Sequence, residues 1–336
     1  MSDEITPESL HARLASAGCQ YTADYCAELV PMIRDIQQLK KEKNAVILAH
    51  SYVLPEIVYG VADFVGDSYQ LSKDAAATDA EVIVFAAVRF MAETAKLLSP
   101  DKTVLLPATD GGCSLADSIT AEEVKKLRAE HPDFTFVCYI NTTAAVKAAC
   151  DVCVTSSNAV DIIAKIPNEN IYFLPDRLMG ANIANELNKR GIQKELKWTD
   201  GTCYVHEEYD ARTISSLRRQ HAGVEVLAHP ECSPAVVYHA DYTGSTTQLM
   251  EHMKASEKKQ FLLLTECGLT DRMRVEMPDK QFIGSCQLCK YMKSNTLPDV
   301  LRVLKEPKAA AEITIDADVE AGAKKCIEEM FRYAAS

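Results

Sequence analysis

Positive charge is scarce in this sequence of 336 residues: 36 Lys and Arg stand against 48 Asp and Glu, which gives a formal net charge of −12. A nucleic-acid-binding protein needs a basic face to displace phosphate counterions, so this balance argues against that class. No apolar run approaches the roughly 18–20 residues that span a bilayer. The first ten residues, MSDEITPESL, lack the cationic and apolar regions of a signal peptide. We therefore expect a cytoplasmic protein that binds neither nucleic acid nor membrane.

The composition is that of a globular protein with a large core. Hydrophobic residues make up 47% of the chain and charged residues 25%, which is far from the composition of disordered proteins. Twelve cysteines are present. Because disulfides are rare in a reducing compartment, we expect these cysteines to be thiols that serve in packing, metal binding or catalysis.

From residue 44 onward, short apolar runs alternate with helical stretches, a pattern that predicts buried parallel strands joined by crossover helices. The runs cover residues 45–50, 81–88, 103–108, 134–141, 152–157, 170–176, 224–231, 261–268 and 280–285. Residues 1–43 predict N-terminal helices packed on the first domain. The predicted fold class is therefore α/β.

Features at the ends of these strands recur about every 89 residues. In each set, a first strand is followed by a pair of polar residues, a second segment ends in hydroxyl residues at a helix start, and a fourth strand is followed by a cysteine. The pairs are His50/Tyr52, Tyr139/Asn141 and His229/Glu231, the hydroxyl residues are Ser68, Ser156/Ser157 and Ser245/Thr246, and the cysteines are Cys113, Cys203 and either Cys286 or Cys289. We predict three homologous three-layer αβα domains with short parallel sheets around a pseudo-threefold axis, at residues 44–131, 132–218 and 219–305, followed by a C-terminal strand and helix at 306–336.

Ligands of open parallel sheets bind beyond the carboxyl ends of the strands, and threefold packing would bring the recurring residues to one central cavity. Helix N-termini favour phosphate or carboxylate, so the hydroxyl residues indicate an anionic ligand, although each is also an ordinary helix-capping residue. The repeated polar pairs are typical of acid–base chemistry, although a single His near a strand end is more often structural. Arg89, Asp176 and Glu266 stay open as site or scaffold residues.

The cysteines fall into two groups. Two C-x-x-C pairs, Cys150/Cys153 and Cys286/Cys289, are 132 residues apart, which is too far for a zinc ribbon. The cysteines on helical or strand patterns are expected in the core, namely Cys19, Cys26, Cys138, Cys150, Cys153 and Cys326. One cysteine from a polar loop of each repeat (Cys113, Cys203 and Cys289) could hold a 4Fe-4S cluster with one open iron, or a catalytic zinc, and spacing alone does not separate iron from zinc.

Ten motifs, in this order, resemble the quinolinate synthase family. They are AHSY (49–52), GDSYQLS (66–72), FMAETAK (90–96), GGCSLAD (111–117), YINTTAAVKA (139–148), TSSNA (155–159), FLPD (173–176), HPEC (229–232), DYTGST (241–246) and CKYMK (289–293). The resemblance implies the pseudo-threefold α/β fold and one 4Fe-4S cluster per chain. It also implies condensation of iminoaspartate with dihydroxyacetone phosphate to quinolinate, phosphate and two waters, for NAD biosynthesis. An aspartate oxidase or dehydrogenase would supply the imine.

The resemblance further implies roles for single residues. Cys113, Cys203 and Cys289 would be the cluster ligands. Cys289 is chosen over Cys286 because the family's Cys-Pro-Tyr/Trp-Met matches residues 289–292, except that Lys290 replaces the proline. From that departure we expect Cys286 to be a second, redox-sensitive thiol. As a hypothesis of our own, Glu231 and Tyr52, helped by His50, move protons, because carbon–carbon bond formation needs deprotonation next to a carbonyl or imine. The substrate-binding residues would be His50, Ser68, Tyr139, Asn141, Ser156, His229, Glu231 and Thr246.

Two other functions are compatible with parts of the sequence. A 4Fe-4S sensor of iron or oxygen would use the three cysteines without turnover, but it would not need anion-binding groups in every repeat. A phosphosugar lyase that uses zinc or no metal would lack iron and sulfide after anaerobic purification.

Overall fold

The structure is a computed structural model that describes residues 5–108, 110–284, 286–307 and 311–336. Two helices, α1 (Pro7–Leu14) and α2 (Ala23–Glu42), precede the first strand. Parts of the predicted segments 1–43, 280–285 and 306–336, namely residues 1–4, 285 and 308–310, lie outside the described residues. No helix in the described ranges is both long enough and apolar enough to cross a membrane.

The strands form three four-stranded parallel sheets. The first contains β1 (Ala45–His50), β2 (Phe64–Gly66), β3 (Val82–Ala86) and β4 (Thr103–Leu105), the second β5 (Thr135–Tyr139), β6 (Val152–Val154), β7 (Asn170–Leu174) and β8 (Glu195–Trp198), and the third β9 (Glu225–Ala228), β10 (Tyr242–Thr243), β11 (Gln260–Leu264) and β12 (Gln281–Ile283). Their strand orders are β2-β1-β3-β4, β6-β5-β7-β8 and β10-β9-β11-β12. The same order three times confirms the α/β fold class with three repeats.

Helices connect the strands and cover the sheets. They are α3 (Pro55–Gly60), α4 (Ser68–Ala77), α5 (Arg89–Leu98), α6 (Ala121–Glu130), α7 (Ala144–Ala148), α8 (Ala159–Lys165), α9 (Arg177–Lys189), α10 (Tyr204–Glu207), α11 (Ala211–Gln220), α12 (Pro234–His239), α13 (Thr246–Ala255), α14 (Cys267–Glu276), α15 (Lys290–Lys293), α16 (Leu297–Lys305) and α17 (Ala317–Ala335), with a short 3-10 helix at Ala116–Ser118. Because helices flank these strands, β1, β5, β7 and β11 are apolar and nearly continuously buried.

Contacts divide the chain into two compact units, Met1–Gly111 with Met250–Ile313 and Gly112–Leu249 with Thr314–Ser336. In the first unit, α2 and α4 contact β1, and α16 contacts β3. There the C-terminal segment also contacts the edge of the first sheet, through an antiparallel bridge between Leu105 and Glu312. In the second unit, α17 contacts α7, α8 and β6. Each sheet falls within one predicted repeat, while the repeat boundaries and the pseudo-threefold axis stay predictions.

Candidate active site

In the second unit, a phenol and a carboxylate from two predicted polar pairs are in contact. Tyr139 is the last residue of β5, and Glu231 follows the end of β9 by three residues. The Tyr139 hydroxyl donates to Glu231 Oε1 at 2.5 Å, and both side chains are buried. Two residues that are 92 positions apart in the chain therefore meet in the folded protein.

Two histidines flank the Glu231 carboxylate. His206 Nδ1 lies 2.9 Å from Oε2, and His229 Nδ1 lies 3.8 Å from Oε1. The two imidazole rings stack with their centroids 4.6 Å apart. The backbone N–H of Glu231 also donates to His229 Nδ1 at 3.4 Å. The His-x-Glu spacing therefore places the His229 ring against the carboxyl group two residues later.

The histidines set the charge of this cluster. Burial alone would raise the pKa of Glu231, but the positive potential of His206 and His229 and the hydrogen bonds from His206 and Tyr139 outweigh burial. The pKa of Glu231 therefore lies below its usual range. Burial and the nearby Glu231 charge raise the pKa of Tyr139 well above its usual value. The pair is thus a carboxylate that accepts a hydrogen bond from a neutral phenol.

Asp176 adds a second acid to this region. It follows β7 and caps α9, with Oδ1 accepting from the N–H groups of Leu178 and Met179 at 2.8 and 3.0 Å. Burial, and then the charge of Glu231, raise its pKa well above the usual value. The buried Oδ2 atom has no hydrogen-bond partner among the described residues. A buried polar atom without a partner is expected where a ligand or water binds.

Two of the predicted cluster cysteines lie near each other in the second unit. The Ser114 hydroxyl donates to the Thr202 carbonyl at 3.2 Å, which joins the loop after Cys113 to the loop before Cys203. Burial, then the charges of Glu231 and Cys113, raise the pKa of Cys203 well above its usual value. Both cysteines are half-buried thiols. Burial disfavours the thiolate form of Cys203, and a bound cation would favour that form instead.

Sequence reasoning missed His206, which joins a predicted cluster ligand to the acid. Its Nδ1 atom lies 3.2 Å from Cys203 Sγ as well as 2.9 Å from Glu231 Oε2. Among the His, Cys, Asp and Glu side chains of the described residues, Cys203, His206 and Glu231 are the one group of three whose possible metal-ligand atoms all lie within 4.8 Å of one another. The signal for His206 was the C-x-x-H spacing, because Cys203 caps the one-turn helix α10 that carries it.

The predicted hydroxyl residues stand at the ends of strands, as expected. Ser156 follows β6 and is close enough to Tyr139 to lower the pKa of its hydroxyl, and Thr246 is the buried first residue of α13. Ser68 is the first residue of α4, in the first unit. The helix cap of α4 is Asp67 and that of α8 is Asn158. Capping therefore does not explain Ser68 or Ser156. Asn141 is half-buried, two residues beyond Tyr139.

The first unit repeats the histidine geometry with a phenol in place of the acid. The Tyr52 N–H donates to His50 Nδ1 at 3.2 Å, and the two rings meet edge to face with centroids 4.4 Å apart. The Tyr52 hydroxyl and Thr265 Oγ1 are 2.8 Å apart. Thr265, which follows β11, is a second residue that sequence reasoning missed, because a single Thr at a strand end carries no distinguishing signal.

Glu266, one of the residues left open, holds the segment that carries Cys289. Its Oε1 accepts from the Cys289 N–H at 3.1 Å and lies 3.3 Å from Lys293 Nζ. Lys293 Nζ also donates to the Tyr52 carbonyl at 2.6 Å. Burial raises the pKa of Glu266, while Lys293 opposes that shift. Glu266 is therefore a scaffold residue that positions Cys289 and connects it to the Tyr52 loop.

A disulfide joins Cys267 to Cys286, so the expectation that the cysteines are all thiols is wrong for this pair. The cause is the pairing of neighbouring strands. Glu266, after β11, forms a parallel bridge with Gln287, after β12, which places the two cysteines next to each other. Cys286 is therefore not a thiol in this structure, whereas Cys289 is.

The predicted site residues divide between the two units. His50, Tyr52, Ser68 and Cys289 belong to the first unit. The others belong to the second, namely Cys113, Tyr139, Asn141, Ser156, Cys203, His229, Glu231 and Thr246. That the two sets line a single cavity stays a prediction.

Comparison with known proteins gives consistent results. A family model described as "Quinolinate synthetase A protein" matches residues 34–332. A quinolinate synthase of Xylella fastidiosa (strain Temecula1) is 47% identical over 298 residues, which cover 89% of this chain and 86% of that protein. A quinolinate synthase of Agrobacterium fabrum is 45% identical over 300 residues (89% and 85%), and one of Caulobacter vibrioides is 41% identical over 304 residues (89% and 81%).

Proposed function

Since the chain belongs to the quinolinate synthase family and is thus an enzyme of NAD biosynthesis, we propose that it condenses iminoaspartate with dihydroxyacetone phosphate. The products are quinolinate, phosphate and two waters, which balance the atoms of the two substrates. The observation that carries this proposal is the buried cluster of Tyr139, Glu231, His206 and His229 beside Cys203. Such a cluster provides a carboxylate base next to a predicted metal ligand.

The proposed cofactor is one 4Fe-4S cluster held by Cys113, Cys203 and Cys289. Thiolates are the usual ligands of iron–sulfur clusters, and these three cysteines are thiols in polar loops. The disulfide removes Cys286 from competition, which favours Cys289 as the third ligand. When bound, a cluster with an open iron supplies a Lewis acid for a substrate oxygen or nitrogen.

Glu231 is the proposed general base. Carbon–carbon bond formation needs loss of a proton next to a carbonyl or an imine, and Glu231 is ionised and fixed on both oxygens by Tyr139 and His206. His206 is the neighbouring group that can exchange a proton with it. In the first unit, Tyr52 is the proposed second proton-transfer group, oriented by Thr265 and by the edge of the His50 ring.

The remaining predicted residues are proposed to bind the anionic groups of the substrates. Imidazole, amide and hydroxyl groups at strand ends suit carboxylate and phosphate oxygens. The helices α4 and α13, which begin at Ser68 and Thr246, add positive ends of helix dipoles. The proposed binding residues are His50, Ser68, Tyr139, Asn141, Ser156, His229, Glu231 and Thr246.

The test is an anaerobic assay for quinolinate, with the imine supplied by an aspartate oxidase or dehydrogenase. Iron, sulfide, zinc and the visible spectrum are measured on the same sample. We expect quinolinate and about four irons per chain. A cluster without product would favour the sensor function. Absence of iron and sulfide, with or without zinc, would favour the phosphosugar lyase.

Serine variants then test the ligand assignment. Replacing Cys113, Cys203 or Cys289 by Ser should abolish both iron retention and product. Cys19 is exposed, so the expectation that it lies in the core is wrong. It gives the matched control, and Cys19→Ser should keep both. Retention of the cluster by Cys289→Ser would refute that assignment. The cytoplasmic location and the enzyme that supplies the imine stay predictions.

A further inference from the structure

Four cysteines that the proposed function does not use come together inside the second unit. Cys138 lies on β5, Cys150 and Cys153 flank the start of β6, and Cys326 lies on α17. Cys138, Cys153 and Cys326 are at most 1% exposed, and Cys150 is 9% exposed. The sequence predicts that all four lie in the core, but no pattern in it predicts that they meet.

The fold explains why they meet. Cys138 and Cys153 are register partners on the neighbouring parallel strands β5 and β6. The helix α17 packs on β6 and α7, and Gly322 permits a close approach, because a Cβ atom there would lie 3.1 Å from the Cβ atom of Ala148. Cys326 lies one turn after Gly322, on the same face of the helix.

Cys138 is the centre of this group. Its Sγ atom lies 3.6 Å from Cys326 Sγ, which is van der Waals contact between two sulfurs, and the thiols of Cys150 and Cys153 are close enough to lower its pKa. We propose that Cys138 and Cys326 form a peroxide-sensitive pair that is oxidised to a disulfide between β5 and α17. Cys138 directly precedes Tyr139, so the modification lies beside the candidate active site.

The environment of Cys138 favours it as the nucleophile. Burial would raise its pKa, but the three neighbouring thiols and the buried Lys147 lower it well below the usual value. Burial, followed by the proximity of Cys138, raises the pKa of the other three thiols. Cys138 is therefore the thiol of this group that ionises most readily, and Cys326, whose sulfur is in contact with it, is the thiol placed to resolve its oxidised form.

A route for a small oxidant begins at the surface. A groove of about 970 Å³ is lined by Cys150, Asp151, Gly322 and Lys325, among other residues of this unit. Cys150 is therefore in contact with both the groove and Cys138. Hydrogen peroxide is small enough to follow this path, whereas a protein oxidant is not.

The chemistry balances with one peroxide per pair. The Cys138 thiolate attacks peroxide, an S–O bond forms as the O–O bond breaks, and the departing hydroxide takes a proton to give the first water. Cys326 then attacks the oxidised sulfur, the S–S bond forms as the S–O bond breaks, and the thiol proton leaves with the oxygen as the second water. Two thiols are oxidised, and one peroxide is reduced to two waters.

The experiment is peptide mapping of the holoenzyme after treatment with hydrogen peroxide, acid quenching, alkylation of remaining thiols and digestion with trypsin. The candidate cysteines fall on separate tryptic peptides: 129–147 holds Cys138, 148–165 holds Cys150 and Cys153, and 326–332 holds Cys326. We expect a cross-link between 129–147 and 326–332, with parallel loss of their alkylated forms. Cys26 is fully buried and its pKa is raised by burial, so it should stay alkylated, as an internal control.

A variant without the resolving thiol tests the order of events. In Cys326→Ser, the oxidised Cys138 should persist and be trapped by a cyclic diketone on peptide 129–147. A cross-link from 129–147 to 148–165 in the parent, or full alkylation of Cys138 and Cys326, would overturn the proposal. Absence of the diketone adduct in a folded Cys326→Ser protein would also overturn it. If that variant does not fold, the presence or absence of the cross-link between 129–147 and 326–332 in the parent decides whether the proposal holds.

Discussion

The sharpest consequence of the site geometry concerns Glu231→Gln. Glutamine has the same shape and keeps an oxygen that can accept from the Tyr139 hydroxyl, now at 2.5 Å from Glu231 Oε1. It loses the negative charge that faces His206 at 2.9 Å and His229 at 3.8 Å, and it cannot accept a proton. The fold and the metal ligands should therefore survive, while the base is lost.

The size of the effect follows from that loss. A positioned general base contributes about 10²–10⁴-fold to a rate, which is about 3–5 kcal/mol of transition-state stabilisation. We therefore expect kcat for quinolinate formation to fall by about 10²-fold or more, with iron content and visible spectrum unchanged. The assay follows quinolinate anaerobically, on samples matched for iron.

Glu56→Gln is the matched control, because Glu56 is also a buried acid that accepts a hydrogen bond from a tyrosine, Tyr21. That variant removes a buried carboxylate outside the candidate site, so it should keep turnover. Turnover of Glu231→Gln close to that of the parent would refute the assignment of the base. Joint loss of iron and turnover in Glu231→Gln would instead show that Glu231 acts by holding the Cys203 region through His206.

Three further perturbations have predicted outcomes. Cys286→Ala, or reduction of the Cys267–Cys286 disulfide, should loosen the loop that carries Cys289 and speed the loss of iron to a chelator. Equal rates of iron loss in the variant and the parent would show that Glu266 suffices to hold the loop. Glu276 has its pKa raised by burial but lowered more strongly by Arg272 and Lys254. It therefore stabilises the fold above its unfolded pKa of about 4.3, and urea unfolding should find Glu276→Gln less stable by about 1 kcal/mol at neutral pH. This difference should vanish as the pH falls through the folded pKa. A difference that does not change with pH would refute this assignment. Gly322→Ala should destabilise the protein by about 1–3 kcal/mol through overpacking against α7. An unchanged free energy of unfolding in urea would show that α17 can move away from α7 without loss of stability.

Much of the fold could be predicted because buried parallel strands are apolar over most of their length. The nine apolar runs include β1, β3, β4, β5, β6, β7, β9, β11 and β12. The strands that match no apolar run are short or polar. β2 and β10 have three and two residues, and β8 reads Glu-Leu-Lys-Trp with only partial burial. Their hydrogen bonds to a neighbouring strand define them, and that pairing leaves no hydrophobic pattern in the sequence.

The candidate site was predictable where the repeat gave three examples of one feature. Tyr139 could be found because it occupies the position of His50 in the first repeat, and Glu231 because it occupies the position of Tyr52. The structure places Tyr139 and Glu231 in contact. His206 and Thr265 have no counterpart that recurs in the sequence, so the repeat does not identify them, and the C-x-x-H spacing is the one signal for His206. Their roles come from single contacts, at 2.9 Å to Glu231 and 2.8 Å to Tyr52.

The cysteines show why spacing is a weaker guide than topology. The two C-x-x-C pairs look alike in the sequence, yet neither acts as a pair in the structure. Cys286 bonds to Cys267 because β11 and β12 are neighbours, and Cys150 and Cys153 surround Cys138 because β5 and β6 are neighbours. In each case, the partner of a cysteine is decided by the adjacent parallel strand. Because such strands are joined by a crossover helix, the partners are separated by a dozen or more residues, and a motif of four residues cannot contain both.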